Sequence, residues 1–252
     1  DIYVRENEMN TWAKVLQDSM DMDGKGRSRA HHIIGDRAFR ELKEGQVVNI
    51  GIGIPELVAA AALREGMLSK IYLTVESGAI GGLPASGTAF GAAIGADIIM
   101  DMAQQFDFYD GGGLDICFIG ALEVDKDGNV NGHYSEGKLS GIGGFANITQ
   151  TSKKVVFCLT FSAMGLQVST DEDGFKIITE GKIPKFVEKV QNISFSSKNA
   201  IKNNQEVLYV TERCVFKLTD KGLMIVEVAK GIDMQKDIID KLPFEVLVSD
   251  RI

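Results

Sequence analysis

The segment from Gln46 to Val75 constrains the fold more than any other stretch of the chain. An apolar run over residues 46–50 ends in Gly51-Ile52-Gly53-Ile54-Pro55. An alanine-rich stretch follows to Glu65, and a second apolar run occupies residues 71–75. Short apolar runs bounded by glycine read as buried strands. Proline suits the first turn of a helix, where its missing N–H would have no intrahelical partner. The order is therefore strand, glycine loop, helix over 55–65, strand, within about the 30 residues of one βαβ unit. Two parallel strands joined in this way need a sheet with helices packed on its faces.

The alternation extends in both directions. Ile33, Ile34, Ala38 and Leu42 recur at helical spacing before Gly45. Residues 96–100 read as a short strand, 102–109 as a helix and 114–119 as a strand. Residues 122–124 and 130–131 flank Asp127-Gly128 as a hairpin. Gly141-Ile142-Gly143-Gly144 leads into another helix and then a strand over 155–160. From Asp171 onward we expect short β-like runs and a last helix over 234–239. The class is α/β: an open, mostly parallel sheet with helices on both faces, and extra short β elements in the C-terminal part. Residues 1–29 are polar and end in the charged cluster Asp23-Gly24-Lys25-Gly26-Arg27-Ser28-Arg29. They read as a linker, with a short helix near Trp12, ahead of one domain over 30–252.

Composition removes several function classes. With 27 Lys and Arg against 35 Asp and Glu, the formal charge is −8, the opposite of a nucleic-acid binder's balance. No run reaches the ~20 apolar residues of a membrane span. Cys117, Cys158 and Cys214 are far apart and sit in apolar runs. They read as buried free thiols of a cytoplasmic protein, and no Cys/His spacing suggests zinc.

Three segments can carry chemistry, each where a strand ends. In open α/β sheets that edge is where ligands bind. Of the 28 glycines, 20 lie between Gly45 and Gly144, which favours close backbone approach to a ligand there. Gly51, Ile52 and Gly53 open a helix and offer free N–H groups to an anion. Glu56 occupies the third glycine position of a dinucleotide fingerprint, so that reading is set aside. Glu76 follows the second strand inside Thr74-Val75-Glu76-Ser77-Gly78, with apolar flanks and no neighbouring Lys or Arg. A carboxylate so placed can act as base or covalent nucleophile. Gly143 and Gly144 again precede a helix and are candidate oxyanion donors.

Taken in order, Gly51-Ile52-Gly53-Ile54-Pro55, Glu76-Ser77-Gly78, Phe106-Asp107-Phe108-Tyr109-Asp110-Gly111-Gly112-Gly113-Leu114-Asp115, Gly128-Asn129-Val130 and Gly143-Gly144-Phe145 resemble the β-type half of the family I coenzyme A transferases. The resemblance runs from about His32 to Phe195. It is strongest to the single-chain acetate, acetoacetate and propionate branch. Other branches carry Ser-Glu-Asn-Gly around the glutamate; Val75-Glu76-Ser77-Gly78 has the small residue of this branch.

The resemblance implies that Glu76 is the nucleophile and passes through a glutamyl-CoA thioester. It implies oxyanion amides near Ile52 and at Gly143 or Gly144. Gly51, Gly53, Gly78 and Gly120 would lie along the coenzyme. It implies no metal or redox cofactor, acyl-CoA and carboxylic acid substrates, and an α-type partner half, with residues 1–29 as the junction to it. Oligomers of paired halves are expected as well. Two rival readings keep the fold: a sugar-phosphate binding module, and an acyl-CoA hydrolase in which water replaces the acceptor acid.

Other residues read as bland. His31 and His32 begin a helix as capping or solvent residues, and His133 lies in a turn. Asp107, Asp110 and Asp115 surround a triple glycine and read as turn residues rather than a cation cage. Lys138, Lys153 and Lys154 near the third loop read as a solvated face rather than phosphate ligands.

Overall fold

The computed structural model describes residues 27–84, 91–135, 137–172 and 174–252. The expected helix near Trp12 lies outside them. The first helix, α1 (Arg29–Phe39), is followed by β1 (Val47–Ile50), α2 (Glu56–Arg64) and β2 (Tyr72–Thr74). This is the βαβ unit that the sequence predicts, and Pro55 stands immediately before α2. Next come β3 (Ala79–Ile80), β4 (Ile98–Ile99), α3 (Met102–Asp110), β5 (Ile116–Gly120), β6 (Glu123–Asp125) and β7 (Val130–Asn131). Then α4 (Phe145–Thr151), β8 (Lys154–Cys158), β9 (Phe186–Val187), α5 (Ser197–Lys202), β10 (Glu206–Val210), β11 (Cys214–Thr219), β12 (Gly222–Val228) and β13 (Leu247–Val248) complete the principal elements.

Ten strands form one sheet in the order β13-β12-β11-β10-β8-β5-β1-β2-β3-β4. The centre, β10-β8-β5-β1-β2, is parallel, and antiparallel strands flank it on both sides. Alternation along the central strands builds two cores. Cys117, Ile119, Val155, Phe157, Val207 and Tyr209 face one side, where Tyr109 of α3 and Ile148 of α4 cover them. Ile116, Phe118, Val156, Cys158, Leu208 and Val210 face the other, where Ile34 and Ala38 of α1 and Val58 and Ala62 of α2 cover them. Two apolar faces explain why these strands read as continuous apolar runs. On one face α1 and α2 cross closely: a Cβ on Gly35 would lie 2.5 Å from Leu57 Cβ, so only glycine fits there.

Three expectations are revised. The strand over 96–100 shrinks to the two residues of β4, which pair antiparallel at the sheet edge and leave Ile99 82% exposed. The tail is more than short β runs, because β10, β11 and β12 extend the main sheet. A helix, α5, that the sequence reading lacks precedes them. The hairpin around Asp127-Gly128 forms as expected, from β6 and β7, with β9 added in parallel to β6. Among the described residues no helix is long and apolar enough to cross a membrane.

Candidate active site

Glu76 stands two residues beyond β2, at the carboxyl edge of the parallel strands, in a tight turn closed by Gly78 N–H donating to Val75 O at 2.9 Å. The turn requires glycine at 78. Its φ is +116°, and a Cβ there would come within 2.0 Å of Met100 O. Glu76 is half-buried, while Ser77 is exposed and donates to Gly91 O.

Among the described residues no Lys, Arg or His pairs with Glu76. Its hydrogen-bond partner is Asn49, whose Nδ2 lies 3.5 Å from Glu76 Oε1. Asn49 belongs to β1 and is wholly buried; the same Nδ2 lies 3.4 Å from Thr74 O and 3.4 Å from the Tyr109 hydroxyl. Tyr109 donates to Thr74 Oγ1 at 2.9 Å, and Thr74 in turn donates to Val48 O at 3.0 Å. A buried polar chain from β1, β2 and α3 therefore backs the carboxylate. Burial, opposed by the Thr74 and Asn49 hydrogen bonds and aided by the Glu76 charge, pushes the Tyr109 hydroxyl above its ordinary range. It is a firm donor at neutral pH. Among the described residues, Asn49 Oδ1 and both amide atoms of fully buried Gln105 have no partner within hydrogen-bonding geometry. Such orphans are uncommon in a packed interior.

The glycine loops divide by what their amides do. Gly51 N–H is taken by Phe118 O at 2.8 Å, which pins the first loop to the end of β5. Among the described residues, no acceptor takes the N–H groups of Ile52 and Gly53, and Ile52 is 63% exposed. The N–H groups of Gly143 and Gly144, just ahead of α4, likewise have no acceptor among the described residues. This third loop reaches the carboxylate's surroundings through α3. A Cβ on Gly144 would meet the Phe106 ring at 3.0 Å, and Phe106 packs edge-to-face on Tyr109 at 5.8 Å. Gly120 ends β5 with nothing within 4 Å of where a Cβ would stand.

Sequence reasoning missed Asn49, Gln105 and Tyr109 as site residues. The available signal was one amide inside the apolar run Val47-Val48-Asn49-Ile50. Two charged groups were missed as well, Arg213 wholly buried and Lys185 half-buried. Arg213, wholly buried, forks onto Glu180 at 2.8 and 3.0 Å, donates to Glu212 at 2.8 Å and stacks on Phe161. Lys185 donates to Ala121 O at 2.7 Å.

The bland readings hold in part: Lys154 is half-buried in its ion pairs rather than solvated, and Asp107 and Asp110 lie in α3 rather than in a turn. His31 accepts the Ser28 N–H as a cap, and His133 bonds Ser194 at 2.6 Å. Lys153 pairs with Asp115, Lys154 with Glu41 and Glu206, and Lys138 is exposed. Asp110 accepts from Asn147 and Gln150.

The fold and the position of Glu76 define an open α/β protein with a lone carboxylate at the carboxyl edge of its sheet, between loops that carry free amides. Residues 32–163 match the family model for Coenzyme A transferase. The chain belongs to the coenzyme A transferase family. It is 43% identical over 220 residues to the acetate CoA-transferase YdiF of Escherichia coli K12, covering 87% of this chain and 41% of that relative. It is 30% identical over 225 residues to the acetate CoA-transferase subunit beta of the same organism, covering 84% of this chain and 89% of the subunit. Among solved structures, the acyl-CoA transferase YdiF of E. coli O157:H7, in a thioester complex with CoA, superposes with a TM-score of 0.83 at 40% identity, covering 90% of this chain and 43% of that one. The chain thus spans about two-fifths of the length of its single-chain relatives and most of the length of a β subunit.

Proposed function

We propose that this chain is the glutamate-bearing half of a CoA transferase that moves coenzyme A between a short-chain acyl-CoA and a free carboxylate of the acetate, propionate, acetoacetate or lactate class. One observation carries the reading: Glu76 is a half-buried carboxylate held by an amide rather than a cation, at the sheet edge where the loop amides are free. A cation would quench its nucleophilicity; an amide orients it and leaves its charge available.

In the first step a Glu76 Oε atom attacks the thioester carbonyl. The C–S bond breaks and the electron pair leaves with the CoA thiolate, giving an acyl-glutamyl anhydride. The thiolate then attacks the glutamyl carbonyl, the C–O bond to the acyl group breaks, and the acyl group departs as a free carboxylate. A glutamyl-CoA thioester remains on Glu76. The acceptor acid runs the same steps in reverse, so atoms and charges balance and no further cofactor is consumed. Each attack places negative charge on a carbonyl oxygen. The free N–H groups of Ile52 and of Gly143 or Gly144 are the donors for it. One such donor contributes about 2.7–4 kcal/mol when it meets charge that develops only in the transition state. Gly51, Gly53, Gly78 and Gly120 shape the walls along which the coenzyme lies.

The remainder of the site comes from an α-type half, joined through residues 1–29, and the paired halves assemble as oligomers in the cytoplasm. The lengths of the relatives support this, because the β subunit is a separate chain and YdiF is more than twice as long. The solved thioester complex of an acyl-CoA transferase with CoA supports the covalent route. The test is isotope exchange between labelled acetate and acetyl-CoA in the complete protein. Ping-pong exchange that Glu76→Ala lowers by at least about a thousandfold is expected, as loss of a nucleophile requires. Release of CoA without exchange would establish the hydrolase instead. Neither exchange nor release would favour the sugar-phosphate module.

A further inference from the structure

The polar layer behind Glu76 holds more hydrogen-bonding capacity than the fold uses. Gln105 lies one turn before Tyr109 on α3, so the two side chains leave the same face of the helix, and they are its two fully buried residues. The Gln105 amide offers two hydrogens and an acceptor oxygen. Neither its nitrogen nor its oxygen meets a partner in hydrogen-bonding geometry among the described residues. Methionine has nearly the same length and would fill the same space with no polar group to desolvate. Packing therefore gives no reason for an amide here. A buried polar group that the fold does not require points to a task in the site.

The donors beside it run in a fixed direction. Val48 O can only accept, so Thr74 donates to it at 3.0 Å and accepts the Tyr109 hydroxyl hydrogen at 2.9 Å. The Tyr109 oxygen is left with lone pairs and no hydrogen to give. Asn49 Nδ2 faces three acceptors: that oxygen at 3.4 Å, Thr74 O at 3.4 Å and Glu76 Oε1 at 3.5 Å. Three acceptors around one atom identify it as the NH2 end of the amide, and they leave Asn49 Oδ1 facing away without a donor among the described residues. An NH2 group has two hydrogens, so three acceptors share two, each at the long end of the hydrogen-bond range. A second donor to the Tyr109 oxygen would release an Asn49 hydrogen for Glu76. Gln105 is placed to be that donor, since its amide lies near enough to bear on the ionisation of the hydroxyl without reaching hydrogen-bonding geometry.

The released hydrogen matters because of where charge develops. On the CoA-transfer reading, on which this inference rests, the thiolate attacks the glutamyl carbonyl. With Oε2 as the atom that took the acyl group, Oε1 is the oxygen that gains the negative charge. That charge returns into the carbonyl as the bond from Oε2 breaks and the acyl carboxylate leaves. We propose that Gln105 is a positioning residue: its amide donates to the Tyr109 oxygen and so turns an Asn49 hydrogen onto Glu76 Oε1 as that oxygen gains charge. An interaction that tightens only then lowers the barrier without tightening acyl-CoA binding. Long contacts at rest agree with this, because catalytic hydrogen bonds close on the charged state.

The test compares Gln105→Met with wild type in the complete protein that contains this chain, alone and combined with Tyr109→Phe. The denaturation midpoint is at least that of wild type, since an unpaired buried amide has gone. The kcat for exchange between acetyl-CoA and acetate falls about tenfold at unchanged KM. In Tyr109→Phe, which has no hydroxyl to receive the amide, adding Gln105→Met changes kcat by less than about twofold. The ζ-carbon NMR signal of Tyr109, identified by its loss in Tyr109→Phe, shifts in Gln105→Met. A lowered midpoint or failure to fold would make the amide a structural contact and overturn the proposal. An unchanged kcat, or losses that multiply fully in the double variant, would do the same. If wild-type protein exchanges no acyl group but the Tyr109 signal shifts, the link from Gln105 to Tyr109 is supported and the transfer reading alone fails. An unshifted signal sinks the link whatever the activity.

Discussion

At the residue scale, Glu76 matters less for its own identity than for what surrounds it. Asn49 touches its carboxylate, and Tyr109 holds Thr74 and Asn49 in place from α3. Tyr109→Phe removes two buried hydrogen bonds, to Thr74 and from Asn49, at a cost of about 1 kcal/mol each. It also frees Asn49 to turn. We predict a fall in kcat of about tenfold with little change in KM for the acyl-CoA, as expected for a positioning group, measured by steady-state exchange. None of this surrounding shell was legible in the sequence. Asn49 and Tyr109 are 60 positions apart, and only the fold brings them into contact.

At the element scale, the first half of the sheet could be read because its central strands coincide with bounded apolar runs, two of which, β1 and β5, stop at glycine. β1, β2, β5 and β8 each stand where an apolar run stops. The later strands were seen as apolar runs but not as members of the same sheet. Pairing of β10 with β8, Val155 beside Val207 and Phe157 beside Tyr209, is a long-range choice that local pattern does not encode. That pairing stacks Phe157 on Tyr209 at 5.4 Å and against Phe195 at 5.1 Å. Phe157→Ala should therefore destabilise by about 3–5 kcal/mol in denaturant unfolding, the cost of a large cavity in a packed core. Arg213 closes the end of β10. Arg213→Met leaves Glu212 buried without its cation and should cost about 3–5 kcal/mol, although no part of it touches the proposed substrates.

At the scale of the whole molecule, the chain is acidic, with a formal charge of −8, so any attraction to an anionic substrate acts at short range. Its three thiols are fully buried. Burial pushes Cys117 and Cys214 up to about 12 and Cys158 higher still. A thiol-specific reagent at neutral pH should label none of them in the native protein and all three after denaturation. The chain spans about two-fifths of the length of its single-chain relatives, and the α-type half is part of the proposal made for it above. The central claim is covalent chemistry at Glu76, and it is tested most directly by mass. The complete protein is incubated with acetyl-CoA, quenched in acid, and the intact mass and peptide map of this chain are recorded. We predict a CoA adduct on the peptide that contains Glu76, lost on adding acetate and absent in Glu76→Ala. An unmodified chain in protein that turns over acetyl-CoA would contradict the account.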